Sequence, residues 1–294
     1  MKSLSGVVSL IPTPLTRKGG ADVEDLKKLI DYQFENDCDG VGVLAGIGEG
    51  YLLPGKEKTR TIKAAVDHVN GRGPLIVGCP AMGTAAAVEL VAEAADLGAD
   101  AILSFNPVGY RRYTQEESYR HFRAQAEASD AALVPYARDD DLIPPEVMAR
   151  LVDEGLAKHM KYGFHSCSIL RQLAASTGDR LYRFCGADTW TLRYLLIGCQ
   201  GIMTATASVF PAENVKLLKL VRAGKVDEAR KLYYKWFLPW NDAGFYENWQ
   251  WAHKYALKLM GIMKSDAMAA PQAAGEDYHR AEIEALLRYL GKIK

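Results

Sequence analysis

DCDGVGVLAG (37–46), LGADAILSFN (97–106) and GCQGIMTATA (198–207) are three copies of one junction. In each, a Gly or Asp closes a helix, two residues follow, and a buried strand begins. A glycine just past a helix C-terminus fits the left-handed cap. Three copies imply that one structural unit repeats along the chain.

Outward from these junctions the alternation continues. Short apolar runs stand at GVVSLIP (6–12), GVGVLAG (40–46), PLIVGC (74–79), AILSFNP (101–107), ALVPYA (132–137), AKHMKY (157–162), YRFCGA (182–187) and GIMTAT (201–206). Continuous runs of Val, Ile and Leu suit strands buried on both faces, hence a parallel sheet. Between them lie amphipathic stretches such as VEDLKKLIDYQFEN (23–36) and AAAVELVAEAADLG (85–98), good helix-forming mixtures. Eight strands alternating with helices predict an α/β fold of the (β/α)8 TIM-barrel type. An open doubly wound sheet is the competing arrangement. It normally carries a Gly-rich phosphate loop after an early strand, and no G-x-G-x-x-G occurs here. After about residue 212 the strands stop. NVKLLKLVRAGKVDEARKLYYKWFLPW (214–240), ENWQWAHKYALKLMGIM (247–263) and YHRAEIEALLRYLGK (278–292) read as helices, and SDAMAAPQAAGED (265–277) as a loop. The expected organisation is a barrel over 1–224 and a C-terminal helical extension packed on it over 225–294.

The 294 residues carry 36 Lys+Arg and 36 Asp+Glu, so the formal net charge is zero. A balanced chain has no global attraction to nucleic acid or to an anionic membrane surface. No apolar stretch reaches the length needed to span a bilayer. The N-terminal apolar run is short and is broken by Pro12 and Pro14, unlike a signal peptide, so a cytoplasmic location is expected. The five cysteines are scattered and include no C-x-x-C, which points to buried apolar side chains rather than a disulfide framework or a zinc site. The histidines have no metal-ligand spacing, and no cofactor is expected.

In such a barrel, reactive groups sit at the C-terminal ends of strands. Those ends offer the turn Gly46 to Glu49, Asn106, Tyr136, Lys161, Asp188 and Thr204 to Thr206. Lys161 stands out. It lies near the upper end of an apolar strand, with parity opposite to that of Lys158. An ammonium inside a packed barrel is costly, and a neutral amine is what attack on a ketone requires. A lysine paired to a carboxylate at the barrel rim is the plainer alternative. Tyr136 ends the preceding strand, where a phenol can relay protons to a lysine-bound substrate or simply pack in the core. The glycines of AGIGEGY (45–51) can bring backbone N–H groups to a carboxylate, or serve only as a turn. Glu49 in that turn is either a base or a structural acceptor. His159 shares the parity of Lys161 and reads as a core residue.

These residues resemble the dihydrodipicolinate synthase / N-acetylneuraminate lyase family of class I aldolases and dehydratases. The resemblance spans nearly the whole chain. It is carried by LIPTPLTRKGGADVEDLKKLIDYQFENDCDGVGVLAGIGEGYLL (10–53), PLIVGC (74–79), ADLGADAILSFNP (95–107), VPYARDD (134–140), HMKYG (159–163), FCGAD (184–188) and GCQGIMTATASVFP (198–211), in that order. It implies a homotetramer, or a dimer, acting on a small 2-oxo acid such as pyruvate. By position, Lys161 is the Schiff-base lysine and Tyr136 the proton-relay tyrosine. The Gly46-Ile47 turn would hold the substrate carboxylate, the Met203 carbonyl would face the site, and Tyr110 would approach it from a loop. The sequence departs from the family's paired threonines, which are Gly46 and Ile47 here. The 25 positions from Tyr136 to Lys161 and the Arg-Asp pair in YARDDDLIPPEVMARL (136–151) look closer to the 5-keto-4-deoxyglucarate dehydratase-like branch. Arg138 is then a candidate contact for a second acidic end of the substrate.

The leading functional expectation is therefore a Schiff-base lyase that dehydrates, or cleaves by retro-aldol reaction, a 2-oxo-3-deoxy sugar acid. One alternative is pyruvate-dependent aldol condensation, as in the synthases. Another is a non-catalytic barrel that binds a small carboxylate.

Overall fold

The computed structural model describes residues 3–107, 113–138, 141–244 and 248–294. Eight short strands, β1 (Val7–Leu10), β2 (Gly40–Val43), β3 (Leu75–Gly78), β4 (Ala101–Phe105), β5 (Ala132–Ala137), β6 (His159–Tyr162), β7 (Tyr182–Cys185) and β8 (Gly201–Thr204), pair in parallel and in sequence order. β8 returns to β1, which closes the barrel and rules out the open sheet. The intervening helices are α1 (Val23–Glu35), α2 (Gly55–Val69), α3 (Thr84–Asp96), α4 (Gln115–Ala126), α5 (Pro145–Asp153), α6 (Cys167–Thr177) and α7 (Thr191–Ile197). A short α8 (Thr206–Val209) and α9 (Pro211–Arg222) follow the last strand.

The repeated junction has a common physical cause. Asp37, Gly98 and Gly198 take the left-handed conformation, with φ of 64°, 104° and 144°. The next residue then folds back onto the helix. Cys38, Ala99 and Cys199 donate their N–H groups to the carbonyls of Gln33, Ala94 and Tyr194, at 3.1, 3.0 and 2.9 Å. This is the bond that satisfies an orphan carbonyl at a helix end. The side chain before each new strand then caps the neighbouring strand. Asp39 accepts from Val7 N–H, Asp100 from Leu75 N–H and Gln200 from Arg183 N–H, each at 2.8 Å.

Two apolar layers result. One fills the barrel, with Val8, Leu10, Ile76, Leu103, Val134, Phe184 and Met203 among its members. The other lies between strands and helices and extends into the C-terminal segment through Phe237, Trp240, Trp251, Ala256, Ile283 and Leu287. That segment comprises α10 (Val226–Gly244), α11 (Trp249–Leu259) and α12 (Asp277–Tyr289). Among the described residues, no helix is long and apolar enough to cross a membrane.

The strands are shorter than the apolar runs suggest. The run 40–46 pairs only through Val43, because Leu44 turns left-handed at φ 58° and leaves the pleat. That departure creates the turn that carries Gly46 and Ile47.

Candidate active site

Lys161 stands on β6 at the upper end of the barrel and is only 6% exposed. Its register partners are Tyr136 on β5 and Phe184 on β7. The Lys161 Nζ lies 3.8 Å from the centroid of the Tyr136 ring. Phe105, which pairs with Tyr136 across β4 and β5, packs its ring edge-on at 5.6 Å. Lys158 is exposed, as its parity predicts.

Room for the lysine comes from Gly186, just past β7. A Cβ there would fall 2.5 Å from both Cγ and Cε of Lys161. The lysine stem thus lies directly over the Gly186 backbone. Gly163 does the same for the phenol: a Cβ there would meet the Tyr136 hydroxyl at 3.1 Å.

The turn after β2 contributes the opposite side. Ile47 and Ala45 are buried in the barrel cluster that also holds Phe105, Met203 and Ala205. Thr13 donates its hydroxyl to the Gly48 carbonyl at 2.6 Å, and the Glu49 N–H reaches the Gly46 carbonyl at 3.3 Å. Glu49 itself is left-handed, with φ 55°, and wholly buried. Its carboxylate pairs with the equally buried Lys254 of α11 and accepts from Ala269 N–H at 2.6 Å. Lys254 also donates to the Ala267 carbonyl at 2.8 Å. Burial pushes the Lys254 pKa down, and the Glu49 charge opposes that shift. Glu49 is therefore an anchor for the turn, the second of the two roles its sequence position allows.

The other sequence candidates fall as follows. Met203 is fully buried in β8, its side chain in the barrel cluster. Arg138 shares the parity of Tyr136 and forms an antiparallel bridge with Asp141, with N–H to carbonyl distances of 3.1 and 3.3 Å. Asp141 accepts from Asn106 Nδ2 at 2.9 Å, and Asn106 accepts from the Ser118 hydroxyl at 2.7 Å. Arg138 is thus tied through Asp141 to Asn106 at the end of β4. Tyr110 lies outside the described residues. His159 packs low in the barrel against the rings of Tyr182 and Phe184. Asp188 accepts from the Thr206 N–H at 2.7 Å and so holds the start of α8. Among the described residues, no three His, Cys, Asp or Glu side chains converge as a metal-ion site.

Lys161, Tyr136, Gly46, Ile47 and Met203 all border the upper barrel. Sequence reasoning missed three further residues there. Gly186 could have been found by parity, since Tyr182, Phe184 and residue 186 alternate onto one face. Lys254 and Trp249 come from the C-terminal segment, and no local pattern connects them to the barrel. Trp249 joins the barrel cluster, and its Cη2 lies 4.0 Å from where a Cβ on Gly46 would be.

The comparisons with known proteins agree on one family. The model of the dihydrodipicolinate synthetase family matches residues 3–290. A 4-hydroxy-tetrahydrodipicolinate synthase of Pelobacter propionicus is 33% identical over 98% of this chain and 99% of its own length. The synthase of the same name from Syntrophobacter fumaroxidans is 32% identical over the same shares. Among solved structures, a dihydrodipicolinate synthase matches with a TM-score of 0.92 at 29% identity, covering 99% of this chain and 100% of its own. A monomeric dihydrodipicolinate synthase variant matches with a TM-score of 0.93 at 26% identity, covering 99% and 98%.

These relatives correct the leading functional expectation. Dehydration or retro-aldol cleavage of a 2-oxo-3-deoxy sugar acid rested on the spacing from Tyr136 to Lys161 and on the Arg-Asp pair after Tyr136. The full-length relatives are named synthases, which favours condensation. Arg138 and Asp141 exchange backbone hydrogen bonds just after β5, so the Arg-Asp pair and the spacing belong to the connection between β5 and β6 and do not by themselves specify a reaction.

Proposed function

The chain belongs to the dihydrodipicolinate synthetase family, and from that premise we propose that it is a synthase-type enzyme in which Lys161 forms a Schiff base with a pyruvate-like 2-oxo acid and joins it to an aldehyde. Family membership makes it a lyase-class enzyme. The observation that carries the Schiff-base reading is the lysine itself. The residue is almost wholly buried at the upper end of the barrel, with its amine 3.8 Å from the centroid of the Tyr136 ring.

The steps follow from that placement. The Lys161 amine adds to the C2 ketone, and the carbinolamine loses water to give a protonated imine. The imine nitrogen withdraws electrons, so a proton leaves C3 and an enamine forms. C3 of the enamine attacks the aldehyde carbon, and the new alkoxide takes up a proton. Water then adds to C2, the C2–N bond breaks and Lys161 is free again. Tyr136 is the group placed to move these protons. The turn at Gly46 and Ile47 is the proposed seat of the 2-oxo acid carboxylate, held by backbone N–H groups because neither residue offers a hydroxyl. Met203 borders that seat. Arg138 is the proposed contact for charge on the second substrate.

Borohydride trapping tests this. With pyruvate present, reduction should leave one added pyruvate on Lys161 by peptide mass mapping, and Lys161→Ala should carry none. Pyruvate binding that leaves no adduct and survives Lys161→Ala would instead mark a non-catalytic carboxylate-binding barrel. The same reading includes a cytoplasmic location, tested by cell fractionation. It also includes assembly as a homotetramer or dimer. Exposed Leu196 on α7, with Tyr234 and Leu238 on the adjoining α10, supports assembly, which light scattering tests.

A further inference from the structure

α1 and α2 lie side by side on the outside of the barrel. Toward their C-terminal ends they carry opposite charges, and these pair. Asp31 of α1 accepts from His68 of α2 at 2.8 Å and from Arg72, just past α2, at 2.7 Å. Nearer their N-terminal ends the pattern inverts, and a groove of about 550 Å³ opens between them. Of the described residues that line it, Lys27, Lys56, Arg60 and Lys63 are cations and Asp67 is the one carboxylate.

The protein does little to neutralise these cations. Lys27 is matched within its own helix by Glu24, at 2.9 Å. Arg60 stands 3.9 Å from Glu57, whose same carboxylate oxygen already accepts from the Ala21 N–H at 2.9 Å. Lys56 and Lys63 are exposed and form no ion pair among the described residues. Positions 56, 60 and 63 lie one turn apart on one face of α2, where like charges repel. The whole chain has no net charge, so the excess is local. An anion between the helices would relieve it, and the positive ends of both helix dipoles would add to the attraction.

We propose that this groove binds a small polyanion bearing a phosphate chain. Its volume is in the range of small-molecule sites. Arg60 supplies a planar fork for phosphate oxygens, and the lysines supply point charges. Lys56 and Lys63 are separated by about 10 Å along the axis of α2, at 1.5 Å per residue. A chain of phosphates spreads its charges over much of that length, and a single phosphate does not. The groove flanks β1 and β2, whereas Lys161 stands on β6, across the barrel from β2. Occupancy of the groove is therefore independent of the imine at Lys161.

Isothermal titration calorimetry at low salt tests this, with inorganic tripolyphosphate, ATP and orthophosphate as probes. The wild type should bind one tripolyphosphate per chain, more tightly than orthophosphate, and the affinity should fall as salt is added. Lys56→Ala/Lys63→Ala should weaken tripolyphosphate binding about tenfold, the scale of two exposed ion pairs. Its urea unfolding midpoint should not fall, because the change removes like charges. Lys216→Ala/Lys231→Ala removes the same charge from exposed positions outside the groove and should bind as the wild type does. ATP that binds more tightly than tripolyphosphate supports a nucleotide as the ligand, and equal affinity supports the phosphate chain alone. No saturable binding of tripolyphosphate at low salt overturns the inference. Equal losses in the two double variants also overturn it, since the attraction would then be one of overall charge. Binding of a single-stranded oligonucleotide more tightly than tripolyphosphate, lost in Lys56→Ala/Lys63→Ala, would replace the small ligand with a nucleic acid.

Discussion

At the scale of single residues, the candidate site is a problem of room as much as of chemistry. A lysine can reach the centre of the barrel mouth only if the strand beside it gives way. Gly186 does so, and the consequence is testable. In Gly186→Ala the new Cβ would sit 2.5 Å from two carbons of Lys161. The flexible stem must swing aside by roughly 1 Å, which can cost about 10²-fold in rate at a reacting group. Gly186→Ala should therefore slow imine formation by that order while the unfolding midpoint hardly moves. Stopped-flow or timed borohydride quenching reads the first, and urea titration the second. Tyr136→Phe makes a different change at the same spot. It keeps the ring under the amine and removes only the proton carrier. A drop in kcat of about 10²–10⁴-fold with little change in pyruvate binding is expected. Lys161 and Tyr136 were legible in the sequence because strand parity and strand ends are local properties. Trp249 was not, because its approach to Gly46 is made by tertiary packing alone.

At the scale of elements, the most readable feature was the helix-to-strand junction, and its chemistry explains why. Each copy needs a residue that tolerates left-handed geometry and, two positions on, a side chain that can accept a hydrogen bond. Those requirements write themselves into sequence as Gly or Asp, then Asp or Gln. Removing one acceptor should be costly. In Asp100→Ala the Leu75 N–H loses its partner at the foot of β3, and stability should fall by about 1–3 kcal/mol, measured by urea unfolding. The link from the turn after β2 to α11 was unreadable by comparison. Its bond from Ala269 to Glu49 joins residues 220 positions apart. Glu49 and Lys254 are both fully buried, so breaking the pair strands a charge. Lys254→Met should destabilise by about 3–5 kcal/mol, and the Glu49→Gln/Lys254→Met double variant should recover a large part of it. A double-mutant cycle reads that coupling. Equal losses in the single and double variants would show that the packing of α11, not the ion pair, sets the cost.

At the scale of the whole molecule, the closed barrel was foreseeable because eight apolar runs alternate with amphipathic ones, and a balanced charge left nothing to oppose compaction. The titration of the folded chain was not foreseeable, since it depends on which histidines the fold buries. Three are held below the ordinary histidine range. His253 is depressed by burial, against a bond to the Trp249 carbonyl and the charge of Asp188. His121 is depressed by burial, against its bond to the Phe105 carbonyl. His159 is depressed by burial, against a hydrogen bond to the Leu4 backbone and with a smaller push downward from Lys158. The sign follows from proton counting. Below about pH 6.5 the unfolded chain protonates these histidines while the fold keeps them neutral, so the unfolded state binds more protons. Stability is therefore fully present above that pH and is lost as pH falls through the window down to the folded values. Each histidine that stays neutral contributes a slope of up to about 1.4 kcal/mol per pH unit there. Unfolding midpoints taken from pH 7.5 down to pH 5 should fall progressively. His253→Gln keeps a donor for the Trp249 carbonyl but cannot titrate, so its curve should be shallower than that of the wild type. A wild-type curve that stays flat across this window would mean that the buried rings take up protons in the folded state, and that the fold does not hold them neutral.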